Sequence, residues 1–218
     1  MRARRAKVLV DSGVQPGDRV AVQVEKSVQA LMLYVATVRA GAAFLPLNTG
    51  YTPNEIAYFL TDASPRVFVC DPASEDTLSG IAEKAGAAIL TLGKSGNDGT
   101  LADLAHNAGP SFDPVPRGAD DLAAILYTSG TTGRSKGAML SHENLLSNAL
   151  VLKDTWAFTR DDVLLHCLPI FHTHGLFVAT NTALVSGASL IFLPKFDLDE
   201  IFAKMPHATS VSYTHRRA

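Results

Sequence analysis

"RVAVQVEKSVQALMLYVATVRAGAAFLPL", residues 19–47, reads as strand, helix, strand. The first seven residues form a β-rich run, and "SVQALMLYVATVRAG" (27–41) then carries apolar side chains at helical spacing. Ser27 is a candidate N-cap and Gly41 lies just past the expected helix end. "AAFLPL" (42–47) is short and extended. Leu31, Met32 and Val35 share one helical face and read as core packing.

The alternation continues outward from this stretch. "TPNEIAYFLTD" (52–62) has a helix-start signature: Thr52 as N-cap, Pro53 at the first helical position and Glu55 three residues after the cap. "RVFVCD" (66–71) is a strand, "SEDTLSGIAEKAG" (74–86) a helix and "AAILTL" (87–92) a strand. Strands separated by helices of this length predict βαβ units, so the fold class is α/β, with mainly parallel sheets covered by helices. The Pro-, Gly- and Asp-rich "AGPSFDPVPRGADD" (108–121) reads as a linker, which predicts one α/β subdomain over residues 1–118 and a second over 119–218. Beyond the linker the pattern predicts strands at 122–127, 137–141, 162–169 and 188–194, with helices opening near Ser141 and after His174. The opening "MRARRAKVLVDSGVQPGDRV" looks like a helix cut near its start.

Composition narrows the function classes. The 218 residues are 47% hydrophobic and 18% charged, well away from disorder. A formal net charge of −2 gives no electrostatic case for nucleic acid or for an anionic membrane surface, so the expected partners are small molecules. The basic start is not followed by the apolar stretch of a signal peptide, and no run of about 18 apolar residues appears. Cys70 and Cys167 sit far apart in apolar runs and read as buried free thiols of a reducing compartment, which predicts a soluble cytoplasmic protein. Oligomeric state leaves no mark in the sequence.

The chemistry is concentrated in "YTSGTTGRSKG" (127–137), which follows the apolar "LAAIL". Three glycines let the backbone approach a ligand closely, five Ser/Thr hydroxyls add rotatable donors, and Lys136 adds a point charge with no acid inside the loop. A phosphate group is the natural guest for such a donor set. The P-loop pattern G-x-x-x-x-G-K-[ST] does not fit, because the order here is Ser135-Lys136-Gly137 and no glycine precedes the lysine.

The longer stretch "YTSGTTGRSKGAMLSHEN" resembles the signature loop of the adenylate-forming superfamily, which includes acyl-CoA synthetases, luciferases and the adenylation domains of peptide synthetases. "RAGAAFLPLNTGYTPNEIAYFLTDASPRVFVCD" (39–71) resembles that family's upstream block, and "LPIFHTHGLF" (168–177) resembles the block that follows. Within the superfamily, "LPIFHTHGLFVATNTALVSGASLIFLPKFD" is most similar to the malonyl-CoA synthetases. The resemblance implies part of the large N-terminal domain of that fold. It also implies a two-step ligase reaction: ATP and a carboxylate give an acyl-adenylate and pyrophosphate, and coenzyme A then takes the acyl group. ATP, Mg2+ and coenzyme A as co-substrate are thereby implied, with malonate as the acid. By position, Thr128, Ser129, Gly130, Thr131, Thr132 and Gly133 would surround the β- and γ-phosphates. Ser135 and Lys136 would hold the departing pyrophosphate. The catalytic set implied is Lys136, Thr132 and His172, with His172 at the aromatic-or-histidine position beside the acyl pocket. His174 is the second substrate-binding candidate, should the match slide by two residues.

His166, Cys167, His172 and His174 also invite a zinc reading. Strand alternation sends His166 and Cys167 to opposite faces and the spacing matches no usual zinc pattern, so no metal ligand is expected among the side chains. Magnesium would arrive with ATP and use few protein ligands.

Full-length members of the superfamily are more than twice this long, and the final "SYTHRRA" does not resemble the apolar strand that the family continues with, as a truncation or shifted reading frame would explain. The family's adenine-binding block, magnesium-binding glutamate, ribose-binding aspartate and C-terminal catalytic lysine would fall beyond residue 218. The expectation is that this chain alone binds ATP weakly and forms no thioester. A non-catalytic nucleotide-binding fragment is the alternative of a different class.

Overall fold

The computed structural model describes residues 2–128 and 135–211. By backbone contact the chain divides into two compact units, the first ending at His142 and the second beginning at Glu143.

The first unit holds α1 (Arg2–Asp11), β1 (Arg19–Gln23), α2 (Val28–Arg39), β2 (Ala43–Pro46), α3 (Pro53–Ala63), β3 (Val67–Cys70), α4 (Glu75–Lys84), β4 (Ala88–Thr91), α5 (Thr100–Asn107), β5 (Leu122–Thr128) and β6 (Lys136–Ser141). Its strands form one sheet in the order β4-β3-β1-β2-β5-β6. Every neighbour pair is parallel except β5 with β6. Strands β1 to β4 are mostly apolar, and β1 to β3 are buried along nearly their whole length, as sheets covered by helices on both faces require.

The local signals read from sequence appear as hydrogen bonds. The Ser27 hydroxyl accepts from the Ala30 amide at 3.1 Å and opens α2. Thr52 and Glu55 form a reciprocal capping box: the Glu55 amide donates to Thr52 Oγ1 at 3.4 Å, and the Thr52 amide donates to Glu55 Oε2 at 2.8 Å. Those hydrogen bonds from Thr52 hold the Glu55 carboxyl below its ordinary range. The core under α3 gathers Ile56, Phe59 and Leu60 against Leu45, Phe68 and Cys70.

The division after His142 lies later than the sequence-based boundary at residue 118, and the reason is visible. Residues 108–121 are strapped along α2: Arg39 Nη2 donates to the Phe112 carbonyl at 2.8 Å, and the Val115 amide donates to the Arg39 carbonyl at 2.9 Å. The chain then re-enters the first sheet, with Ala124 opposite Phe44 of β2.

The second unit holds α6 (His142–Thr155, whose first residue closes the preceding unit), β7 (Val163–His166), a π-wound turn (His174–Thr180) running into α7 (Asn181–Ser186), β8 (Ser189–Phe192), α8 (Leu198–Lys204) and β9 (Ser210–Val211). Its sheet is parallel, in the order β8-β7-β9. No helix among the described residues is long and apolar enough to cross a membrane.

Candidate functional site

The stem of the Gly/Ser/Thr loop is an antiparallel pair. β5 and β6 run in register from Ala124 opposite Leu140 to Thr128 opposite Lys136, and the loop leaves the carboxyl end of β5. Ligands of α/β sheets gather at that end. Four of the seven residues of β5 are buried, so the N-terminal stem is set by the core. Gly137, opposite Tyr127, leaves room for the Ile125 side chain two residues along β5. A Cβ there would stand 2.9 Å from Ile125 Cγ2, closer than side-chain carbons pack.

Two tyrosines brace this stem. Tyr127, the penultimate residue of β5, donates its hydroxyl to Asp62 Oδ2 on α3. Burial and then the bond to Asp62 push its phenol well above the ordinary range, so it remains a neutral donor. Tyr58, also on α3, donates its hydroxyl to the Ser135 carbonyl at 2.8 Å. The rings of Tyr58, Phe59 and Tyr127 form one cluster, with Phe59 and Tyr127 centroids 4.5 Å apart and Tyr58 and Tyr127 6.3 Å apart.

Thr128, Ser135 and Lys136 therefore come together where the loop closes, and the Thr128 hydroxyl lies 3.5 Å from the Lys136 carbonyl. Lys136 is exposed and makes no ion pair among the described residues. A cation so placed is open to an incoming anion. Ser129, Gly130, Thr131, Thr132 and Gly133 lie outside the described residues.

In the second unit, His172 is exposed just before the π-wound turn and His174 is exposed as its first residue. The His172 carbonyl accepts from the Leu176 amide at 3.0 Å, which ties His172 to the first coil of that turn. His166 is fully buried at the end of β7, with Nε2 2.8 Å from the Gly175 carbonyl oxygen. A carbonyl only accepts, so Nε2 carries the proton in this contact. The Thr180 hydroxyl donates to the same oxygen at 3.0 Å. The Gly175 carbonyl is thus shared by side chains from β7 and from five residues further along the chain, inside a π-wound turn where sequence periodicity predicts an ordinary helix. This use of His166 leaves no local trace in sequence, because its partner is a backbone oxygen set by the tertiary fold.

Cys167 packs in an apolar cluster with Leu165 and Leu193. Both cysteines are buried thiols outside any disulfide. Among the described residues no group of three or more His, Cys, Asp or Glu is placed to hold a metal ion.

Comparison with known proteins decides what this loop belongs to. The family profile described as "AMP-binding enzyme" matches residues 2–215. The chain belongs to the AMP-binding enzyme family. Malonate–CoA ligase of Arabidopsis thaliana is 31% identical over 194 residues, covering 88% of this chain and 32% of the relative. The long-chain-fatty-acid–CoA ligase FadD13 of Mycobacterium tuberculosis is 33% identical over 204 residues, covering 92% of this chain and 39% of the relative. Among solved structures, ATP-bound MatB from Rhodopseudomonas palustris superposes with a TM-score of 0.94 at 61% identity, covering 96% of this chain and 42% of that one. This member of the family therefore spans about two fifths or less of the length of the relatives it matches. The mainly parallel α/β architecture and the adenylate-forming resemblance of the 127–144 stretch agree with that membership.

Proposed function

We propose that the protein acts in an ATP-dependent acid–thiol ligase that makes an acyl-adenylate and then an acyl-CoA thioester, with malonate as the acid. The observation that carries the reading is the braced stem at Thr128 and Lys136, on a chain 61% identical to a structure solved with ATP. Malonate is favoured over a fatty acid by the resemblance of residues 168–197 to the malonyl-CoA synthetases and by the named activity of the plant relative.

The first step needs no nucleophilic side chain. A substrate carboxylate oxygen attacks the α-phosphorus, the bond from that phosphorus to the bridging oxygen breaks, and pyrophosphate leaves with both electrons. The thiolate of coenzyme A then attacks the acyl carbon and AMP departs. Catalysis in the first step is alignment plus stabilisation of charge on phosphate. Thr128, Ser129, Gly130, Thr131, Thr132 and Gly133 supply hydroxyl and amide donors to the β- and γ-phosphates of ATP, which enters with Mg2+. Ser135 and Lys136 hold the leaving pyrophosphate. His172, with His174 beside it, meets the acid. The distal carboxylate of malonate calls for a cation of the arginine kind. The two buried thiols favour a cytoplasmic site of action.

The test is ATP affinity by titration calorimetry. Lys136→Ala is expected to weaken binding about tenfold, the scale of one charge-assisted contact. Equal affinity in the two proteins removes the loop from nucleotide binding. Malonate-dependent exchange of label between pyrophosphate and ATP then reports adenylate formation. It is expected from the whole protein and not from this chain alone. Exchange by a long-chain fatty acid in place of malonate would reassign the acid.

A further inference from the structure

We infer that α3 is the positioning element of the phosphate loop, with the Tyr58 hydroxyl as its acting group. The inference rests on the reading of that loop as the holder of ATP.

Tyr58 and Asp62 are four residues apart and so share one face of α3. From that face Tyr58 donates to the Ser135 carbonyl, immediately before Lys136, and Asp62 accepts from Tyr127, immediately before Thr128. The two bonds bracket the loop at its two feet. The bond to Ser135 has a specific consequence. The Ser135 carbonyl and the Lys136 N–H belong to one rigid planar unit, so fixing the oxygen also aims the amide of the residue that carries the cation. α3 is a firm base for this purpose: its start is locked by the Thr52–Glu55 box, and Ile56, Phe59 and Leu60 are fully or almost fully buried. The stem at Thr128 and Lys136 is held in one arrangement before ligand arrives, and stem donors already in place lose less freedom on binding.

The test compares Tyr58→Phe and Tyr127→Phe with Tyr51→Phe. Tyr51 packs its ring on Phe59 at 4.8 Å in the same cluster, and serves as the control for removing a phenol oxygen near the stem. Two readouts are taken on the full chain: hydrogen exchange of the Thr128 and Lys136 amides by NMR without ligand, and ATP affinity by calorimetry. Loss of one such hydrogen bond is expected to speed Lys136 exchange about fivefold and weaken ATP about fivefold in Tyr58→Phe. Tyr127→Phe acts mainly on Thr128, and Tyr51→Phe changes neither readout. Thermal unfolding is expected to shift alike in Tyr58→Phe and Tyr127→Phe, each of which loses one hydrogen bond, so a difference between these two in Lys136 exchange and ATP affinity separates positioning from general stability. Unchanged Lys136 exchange in Tyr58→Phe overturns the inference, as does an equal effect in Tyr51→Phe. Absence of ATP binding by the unsubstituted chain overturns the nucleotide reading instead, and the exchange data still decide whether α3 orders the stem.

Discussion

Cys70 shows how a residue with no part in the chemistry can report on the sheet that carries it. It is fully buried in β3, in the cluster of Leu45, Ile56 and Phe68. Burial, with smaller contributions from Glu75 and Asp71, pushes its thiol up to about 12. The protonated thiol is the native form. Below the ordinary thiol range both folded and unfolded chains keep that proton, so this group's stabilisation is complete there. Above it only the unfolded chain releases the proton, so stability falls as pH rises towards the folded value, by about 1.4 kcal/mol per pH unit. Urea midpoints for the chain and for Cys70→Ala between pH 8 and pH 11 check this: the slope is expected to be steeper in the unsubstituted chain. Parallel slopes would show that Cys70 ionises as freely in the fold as outside it. The same burial predicts that Cys70 stays unmodified by a thiol reagent at pH 8 until the chain is unfolded.

At the scale of elements, α3 carries more than its length suggests, since it both packs the core and braces the loop. Thr52→Ala removes the side-chain acceptor of its capping box and is expected to cost about 1 kcal/mol, read from urea unfolding. A cost near zero would mean that Pro53 and the buried face start the helix without the cap. This helix was legible in sequence because all of its signals are local: cap, proline, reciprocal glutamate and apolar spacing lie within eleven residues or so of one another. The elements that escaped reading were decided elsewhere. α5 begins after Gly99, at a φ of 99°, with no side-chain cap. The hydroxyl of its first residue, Thr100, instead accepts from the Thr91 amide of β4 at 2.8 Å, nine residues back. α8 did carry a local signal, Asp197 accepting from the Glu200 amide at 3.3 Å, but at seven residues it is too short for periodicity to reveal. The candidate site divides in the same way. Thr128, Ser135 and Lys136 are marked as candidates by the donor content of one loop and by the resemblance it carries, whereas Tyr58, Asp62 and Tyr127 meet the stem through contacts spanning 65 to 77 residues.

For the whole molecule, the two units bury their apolar side chains to different degrees. The first has a deep core beneath both faces of a six-stranded sheet, whereas α6 in the second buries only Ala149 of its fourteen residues. Leu146, Leu150 and Val151 are 48%, 42% and 61% exposed on that helix, and Phe196, Leu198 and Phe202 are 55%, 58% and 65% exposed at and before α8. Leu146 and Leu150 stand one turn apart on one helical face, with Val151 beside them. Grouped apolar exposure of this kind marks a surface that another protein segment covers or that drives association. The relatives are more than twice as long as this chain, and the second outcome is the one that residues 1–218 can be asked about directly. The expected result is that the chain alone sediments as larger, concentration-dependent species. Charged residues placed on the two groups, Leu150→Glu with Val151→Lys and Phe202→Lys, are expected to return it to monomer while leaving the ATP affinity proposed for it unchanged. A monomer at every concentration before substitution would show that these side chains are tolerated in water. ATP binding lost along with the association would instead make the second unit a participant in holding the nucleotide.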